Sequence, residues 1–206
     1  MSGLGTLSRR SAVTSAEVVQ ALPGDGLVPG AQVVIDRGMV LPASPDQLWP
    51  WLVQLGKGRA GWYLPTGVER MIPPQWRGAR RIIPAYQALG VGDEVPDWGP
   101  GDPVFRVAQI TPPSTLVYLS LRDRADDWRW PHDGTAERPG VLALSWALVI
   151  TPLPRGGSQL HIRLRINQIG RRFPELTAAL GGLMDLATIV GLRFGLTERV
   201  LQPPGA

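Results

Sequence analysis

The sequence predicts an α+β fold: a curved antiparallel β-sheet wrapped around a long C-terminal helix, with short helices after the first strand. Three observations carry this. Residues 93–169 hold five short apolar or alternating segments separated by turn residues. One well-capped helix follows an earlier strand. An apolar stripe at helical spacing then closes the chain.

The elements follow in order. Residues 1–30 form a weakly specified arm in which ALPGDGLVPGA is turn-rich. AQVVIDRGMVLPA reads as the first strand. In SPDQLWPWLVQL, Ser44 is an N-cap, Pro45 suits the first helical position and Gln47 completes a capping box. Leu48, Trp51, Leu52 and Leu55 give that helix one apolar face, widened by Trp49 and Val53. Pro50 offers no N–H to the Asp46 carbonyl, so the helix is expected to bend or tighten there. Gly56 and Gly58 end it.

Short helices and loops are expected up to residue 102. Strands follow at DEVPDW, PVFRVAQITP, STLVYLSLRD, VLALSWALVITPL and SQLHIRLRINQI. In the last, Leu160, Ile162, Leu164 and Ile166 share one face, and His161, Arg163, Arg165 and Asn167 share the other. The final helix is expected over about 174–201, with Leu176, Leu180, Leu183, Ala187, Val190 and Phe194 as its stripe. Pro203 stops it. Residues 31–202 thus form a single domain, followed by a tail at 203–206.

Composition narrows the function. The 206 residues include no Cys and only His132 and His161, which argues against thiolate chemistry and multi-histidine metal sites. The formal charge is +4, carried almost entirely by scattered arginines interleaved with acids. No basic run suited to nucleic acid emerges. The N-terminus lacks a signal-peptide core, so a cytoplasmic location is expected. The stretch 176–192 is short for a membrane span and carries Asp185 at its centre, where a charge costs roughly 3 kcal/mol.

At ASPDQLWPWLVQLGKGRAGWY, with GDEVP, LSWALVITPL and GGSQLHIRLR further on, the chain resembles bacterial members of the SRPBCC superfamily, the START-related, pollen-allergen-like and polyketide-cyclase-like proteins. The resemblance spans roughly Gln32 to Leu201. It implies a helix-grip fold with a cavity between the concave sheet face and the last helix. Such cavities take apolar or aromatic small molecules, and neither a cofactor nor a metal is implied. The chain departs from the pattern after GRAGWY, where LPTGVERMIPPQW brings a proline two residues on.

The candidate site residues follow from this reading. Trp49 and Trp51 lie on the helical apolar side and read as core. Trp62 and Tyr63, after the glycine-rich turn, read as a pocket mouth. GKGRAG is no phosphate loop, since it follows a helix and lacks the G-x-x-x-x-G-K-[ST] pattern. Arg59 could pair a ligand carboxylate, but bracing carbonyls is its expected role. Trp146 is in phase with Leu144 and Leu148 and should line the cavity. Tyr118 is a weaker candidate, because Val117, Leu119 and Leu121 make the more apolar face of its strand. Met184 and Phe194 are expected to contribute from the last helix.

For catalysis the candidates are Asp185, Tyr118 and His161. Asp185 flanks the apolar stripe, and the strand phase of His161 puts it on the outer face. The favoured function is therefore non-catalytic binding of an apolar or aromatic ligand. The alternatives are an aromatase/cyclase-like enzyme using acid/base chemistry on a polyketide-like substrate and, after that, a membrane-peripheral lipid-binding protein that makes contact through its last helix.

Overall fold

A computed structural model of the chain describes residues 20–99, 101–134, 136, 140–167 and 189–202. Among the described residues six strands form one antiparallel sheet: β1 (Val33–Leu41), β2 (Glu94–Pro96), β3 (Val104–Thr111), β4 (Thr115–Asp123), β5 (Val141–Pro152) and β6 (Ser158–Ile166), in the order β1-β6-β5-β4-β3-β2. Strands β2 to β6 run as a meander, and β1 returns to pair with β6. A register shift between Val107 and Gln109 places an extra residue in β3, a bulge that bends the strand and deepens the sheet's curve. The fold is α+β with a C-terminal helix against the curved sheet, consistent with the helix-grip architecture.

Helix α1 (Pro45–Gln54) starts as its sequence dictates. The Ser44 hydroxyl accepts from the Gln47 amide at 3.3 Å, and the Gln47 side chain accepts from the Ser44 amide at 2.9 Å. This reciprocal pair satisfies two amides that a helix start otherwise leaves open. The helix runs unbroken through Pro50. Its last turn tightens, with the Leu55 amide donating to Leu52 at 3.2 Å. A one-turn helix α2 (Thr66–Glu69) and 3-10 turns at Pro74–Trp76 and Pro84–Tyr86 complete the segment between β1 and β2.

Both faces of the sheet are covered. On the concave face, Met39, Leu41, Leu116, Leu148, Ile150 and Leu160 meet Leu48, Leu52 and Leu55 around α1 and Ile189, Leu192 and Leu196 of the last helix in one buried cluster. On the convex face, Val28 packs with Leu121, Val141 and Ala143.

Residues 20–30 therefore lie across the convex face as an ordered strap. An ion cluster pins them. Asp36 Oδ1 lies 2.6 Å from His161 Nε2 and accepts from Arg163 Nε at 2.8 Å. Arg163 also donates to the Gln20 carbonyl and to Asp25, each at 2.9 Å. His161 points outward from the concave face, as its phase demands, yet it is buried beneath this strap.

Residues 189–200 are helical. Their buried positions are Ile189, Leu192, Gly195, Leu196 and Arg199, whereas Val190 is half-buried and Phe194 is exposed. The stripe expected through Val190 and Phe194 is thus rotated about the helix axis. The reason lies at Gly195, where an added Cβ would fall 2.5 Å from the Tyr63 carbonyl oxygen. That close approach turns the 195–199 side of the helix inward.

Candidate functional site

Between the concave face and the last helix lies a cavity of about 510 Å³. Its floor comes from Ile35, Leu144, Ile162 and Leu164, side chains that alternate toward the same face of β1, β5 and β6. Ile189 approaches from the helix, and Leu55 and Gly56 from the end of α1. Gly56 has φ 138°, and a Cβ there would sit 2.8 Å from Val95. Only glycine lets the loop fold back at this point, closing Gly56 onto Gly61 and presenting Trp62.

One side of the cavity is an aromatic wall. Trp146 stacks between Trp62 (centroids 6.0 Å, planes at 25°) and Tyr118 (5.7 Å, 25°). Phe105 tilts against both Tyr118 and Trp146 at 6.0 Å. Four rings from three strands and a loop thereby form a continuous apolar surface. Trp98, 54% exposed, and Pro96 stand at the rim.

Polar groups touch the cavity at few points. Arg37 lines it from β1 and donates to the Asp36 carbonyl at 2.9 Å. Asp97 lines the opposite end and is held in an ion pair by Arg122, which also donates to Ser120 at 3.0 Å. The Tyr118 hydroxyl is buried and finds no hydrogen-bond partner among the described residues. Burial pushes its pKa far above the ordinary phenol value, against a small opposing pull from Arg59. It therefore stays protonated.

Not every candidate converges here. Trp62, Trp146 and Tyr118 line the cavity. Tyr118 does so from the face of β4 shared with Leu116 and Ser120, because the more apolar face, Val117, Leu119 and Leu121, is turned toward the convex side and its strap. Tyr63 is a correction. It is completely buried, meets Trp51 edge-on at 5.7 Å, accepts from Gln54 and donates to the Trp51 carbonyl, each at 3.0 Å. Its hydroxyl is used up inside the core.

Arg59 braces the Val53 and Tyr86 carbonyls at 3.2 and 2.6 Å and lies 4.8 Å from the Tyr86 ring centroid. Phe194 is a second correction, since it stands on the outside of the helix beside Arg193. His161 belongs to the convex-face ion cluster. Met184 and Asp185 lie outside the described residues.

Further along the last helix stands a different kind of centre. The Arg199 guanidinium, fully buried, donates to the carbonyls of Ala79 (2.7 Å), Leu64 (3.2 Å), Gly195 (3.0 Å) and Gly78 (3.1 Å) and to Glu69 (2.7 Å). It also stacks 4.4 Å from the Tyr63 ring centroid. All five of its N–H donors are thereby engaged. Burial alone would raise the Glu69 carboxyl, but hydrogen bonds from Arg199 and Arg80 outweigh it and hold the pKa below the ordinary range. Arg80 continues the chain of charges to Glu198 at 3.1 Å, which in turn accepts from Thr66. Sequence reading missed this centre. A charged residue at inward helical spacing, Arg199 after Leu192 and Leu196, was the signal for it.

No protein-family model matches the chain, and no curated protein sequence matches it. Solved structures of similar shape include a Rhodobacter sphaeroides protein (17% identity, 84% of this chain and 97% of that one, TM-score 0.47). Others are a Staphylococcus aureus protein of unknown function (7%, 82% and 93%, 0.46) and a Mesorhizobium loti protein (17%, 81% and 98%, 0.44). All three TM-scores fall below one half, so none of these proteins lends this chain a function.

Proposed function

We propose that this chain, an SRPBCC-like helix-grip protein, binds an apolar or aromatic small molecule in the cavity between its sheet and its last helix, without chemistry. The observation that carries the reading is the stacked wall of Trp62, Phe105, Tyr118 and Trp146 along a space of about 510 Å³. That volume suits a small organic ligand, and flat rings favour a planar partner that can extend the stack. The fold permits many functions, so the reading rests on the wall and not on the architecture. The polar groups at the margins, Arg37 and the paired Asp97, suit orientation of a ligand better than proton transfer, and a Tyr118 hydroxyl that stays protonated is no base.

The test is native mass spectrometry of the purified protein, followed by titration with a panel of apolar and aromatic compounds while tryptophan fluorescence is monitored. Retention or quenching by planar apolar compounds, abolished when Leu144→Trp fills the cavity, is the expected result. Indifference to the whole panel, or binding that survives the filled cavity, overturns it. Turnover of any bound compound would move the protein to the cyclase-like class.

A further inference from the structure

The segment 65–88 carries an unusual distribution of groups, remote in kind from the aromatic cavity. Met71 is 84% exposed, Trp76 is 69% exposed and Val68 is 44% exposed. Large apolar side chains standing this free call for a reason. Around them Arg70, Arg77 and Arg81 are also exposed. The segment holds four arginines and one acid, and that acid, Glu69, is buried and paired to Arg199 and Arg80. What faces outward is therefore apolar and positive, with no carboxylate of its own.

The segment is also built to protrude and hold its shape. Val68 and Met71 lie one helical turn apart, joined by a 3.0 Å amide–carbonyl bond. Arg77 Nε donates to the Ile72 carbonyl at 3.0 Å, closing residues 73–76 into a tip that carries Trp76. Both stems of the loop are fastened to one group: Arg199 binds Glu69 on one side and the Gly78 carbonyl on the other. The loop 69–78 is thus a compact projection whose base is locked and whose tip carries Met71 and Trp76.

We infer that this loop is a membrane-docking tip that inserts Met71 and Trp76 into the interface of an anionic bilayer while Arg70, Arg77 and Arg81 meet lipid phosphates. Tryptophan favours the headgroup boundary, and arginine pairs with phosphate while its stem lies along apolar surface. A protein partner fits less well. A stable protein–protein interface takes about 20–30 residues from each side, and a ten-residue convex tip offers far fewer. This surface is distinct from the apolar stripe of the last helix, and the inference stands whether or not the cavity holds a ligand.

The experiment is co-sedimentation of the full chain with vesicles of phosphatidylcholine alone and of phosphatidylcholine mixed with phosphatidylglycerol. The protein should sediment with the anionic vesicles at low ionic strength and leave them as salt rises. Arg70→Gln and Arg81→Gln should each weaken binding about fivefold. The double variant Met71→Ser, Trp76→Ser should weaken it on the order of tenfold or more. All four side chains are exposed, so circular dichroism should report an unchanged fold. Wild type remaining in the supernatant with anionic vesicles overturns the inference, as does a double variant that sediments like wild type. Loss of a dimer in the double variant, with vesicle binding unchanged, would make the tip a contact between copies of the chain and overturn it too.

Discussion

The Arg199 centre and the aromatic cavity sit on the same side of the sheet and resolve burial in opposite ways. Around Arg199 a full charge is buried, and every N–H finds an acceptor among carbonyls and Glu69. In the cavity wall a neutral hydroxyl, Tyr118, is buried with no partner among the described residues, beside empty space. The first arrangement is what holding elements together requires, since an uncompensated buried charge is costly. The second suits the ligand site proposed above. The contrast separates framework from site more sharply than residue type does, because each region contains arginine, tyrosine and a carboxylate.

The comparison can be broken in four ways. The largest effect is expected from Arg199→Ala, which leaves four carbonyls without their donor and Glu69 with Arg80 as its remaining partner. It should cost about 4 kcal/mol in urea unfolding, and Arg199→Lys should recover only a minor part because an ammonium cannot span the fork of acceptors.

Acid should act next. Glu69 and Glu198 both have pKa values lowered on folding, so their stabilising contribution is present above about 4.5, the unfolded value, and is lost as pH falls through their folded values. Denaturant midpoints measured across that range should fall less steeply for Glu69→Gln than for wild type.

Trp146→Ala should lower affinity for a planar ligand on the order of tenfold, read by equilibrium titration, since it removes the middle ring of the wall. The smallest effect is the most pointed. Tyr118→Phe should raise stability by about 1 kcal/mol, because it deletes a buried hydroxyl with no partner among the described residues. A loss of stability there would mean that the two regions are not opposites.

The contrast also marks what could be read in advance. Strand alternation placed Leu160, Ile162 and Leu164 on the inner face, and the capping box located the start of α1. Those signals are local and periodic. Tyr118 was underrated because its strand is apolar on both faces, and the sequence does not reveal that residues 20–30 cover the other one. Tyr63 sits next to Trp62 in the chain, yet one ring meets the cavity and the other the core. A loop after three glycines carries no periodicity from which to tell them apart. Arg199 gathers acceptors from four separate stretches of chain, a convergence that only the tertiary fold creates.

The strand order has a kinetic consequence. Strands β2 to β6 are neighbours in sequence and can pair one after another as the chain leaves the ribosome. Among the described residues strand β1 pairs with β6 alone, and Val33 must find Ile166. Until the last strand emerges, Met39 and Leu41 have no sheet to pack into, and the first strand's edge stays open to other chains. Of the described strands β1 is made first and secured last, so a pause between β5 and β6 during synthesis would lengthen the interval in which this sheet is most exposed to misassembly.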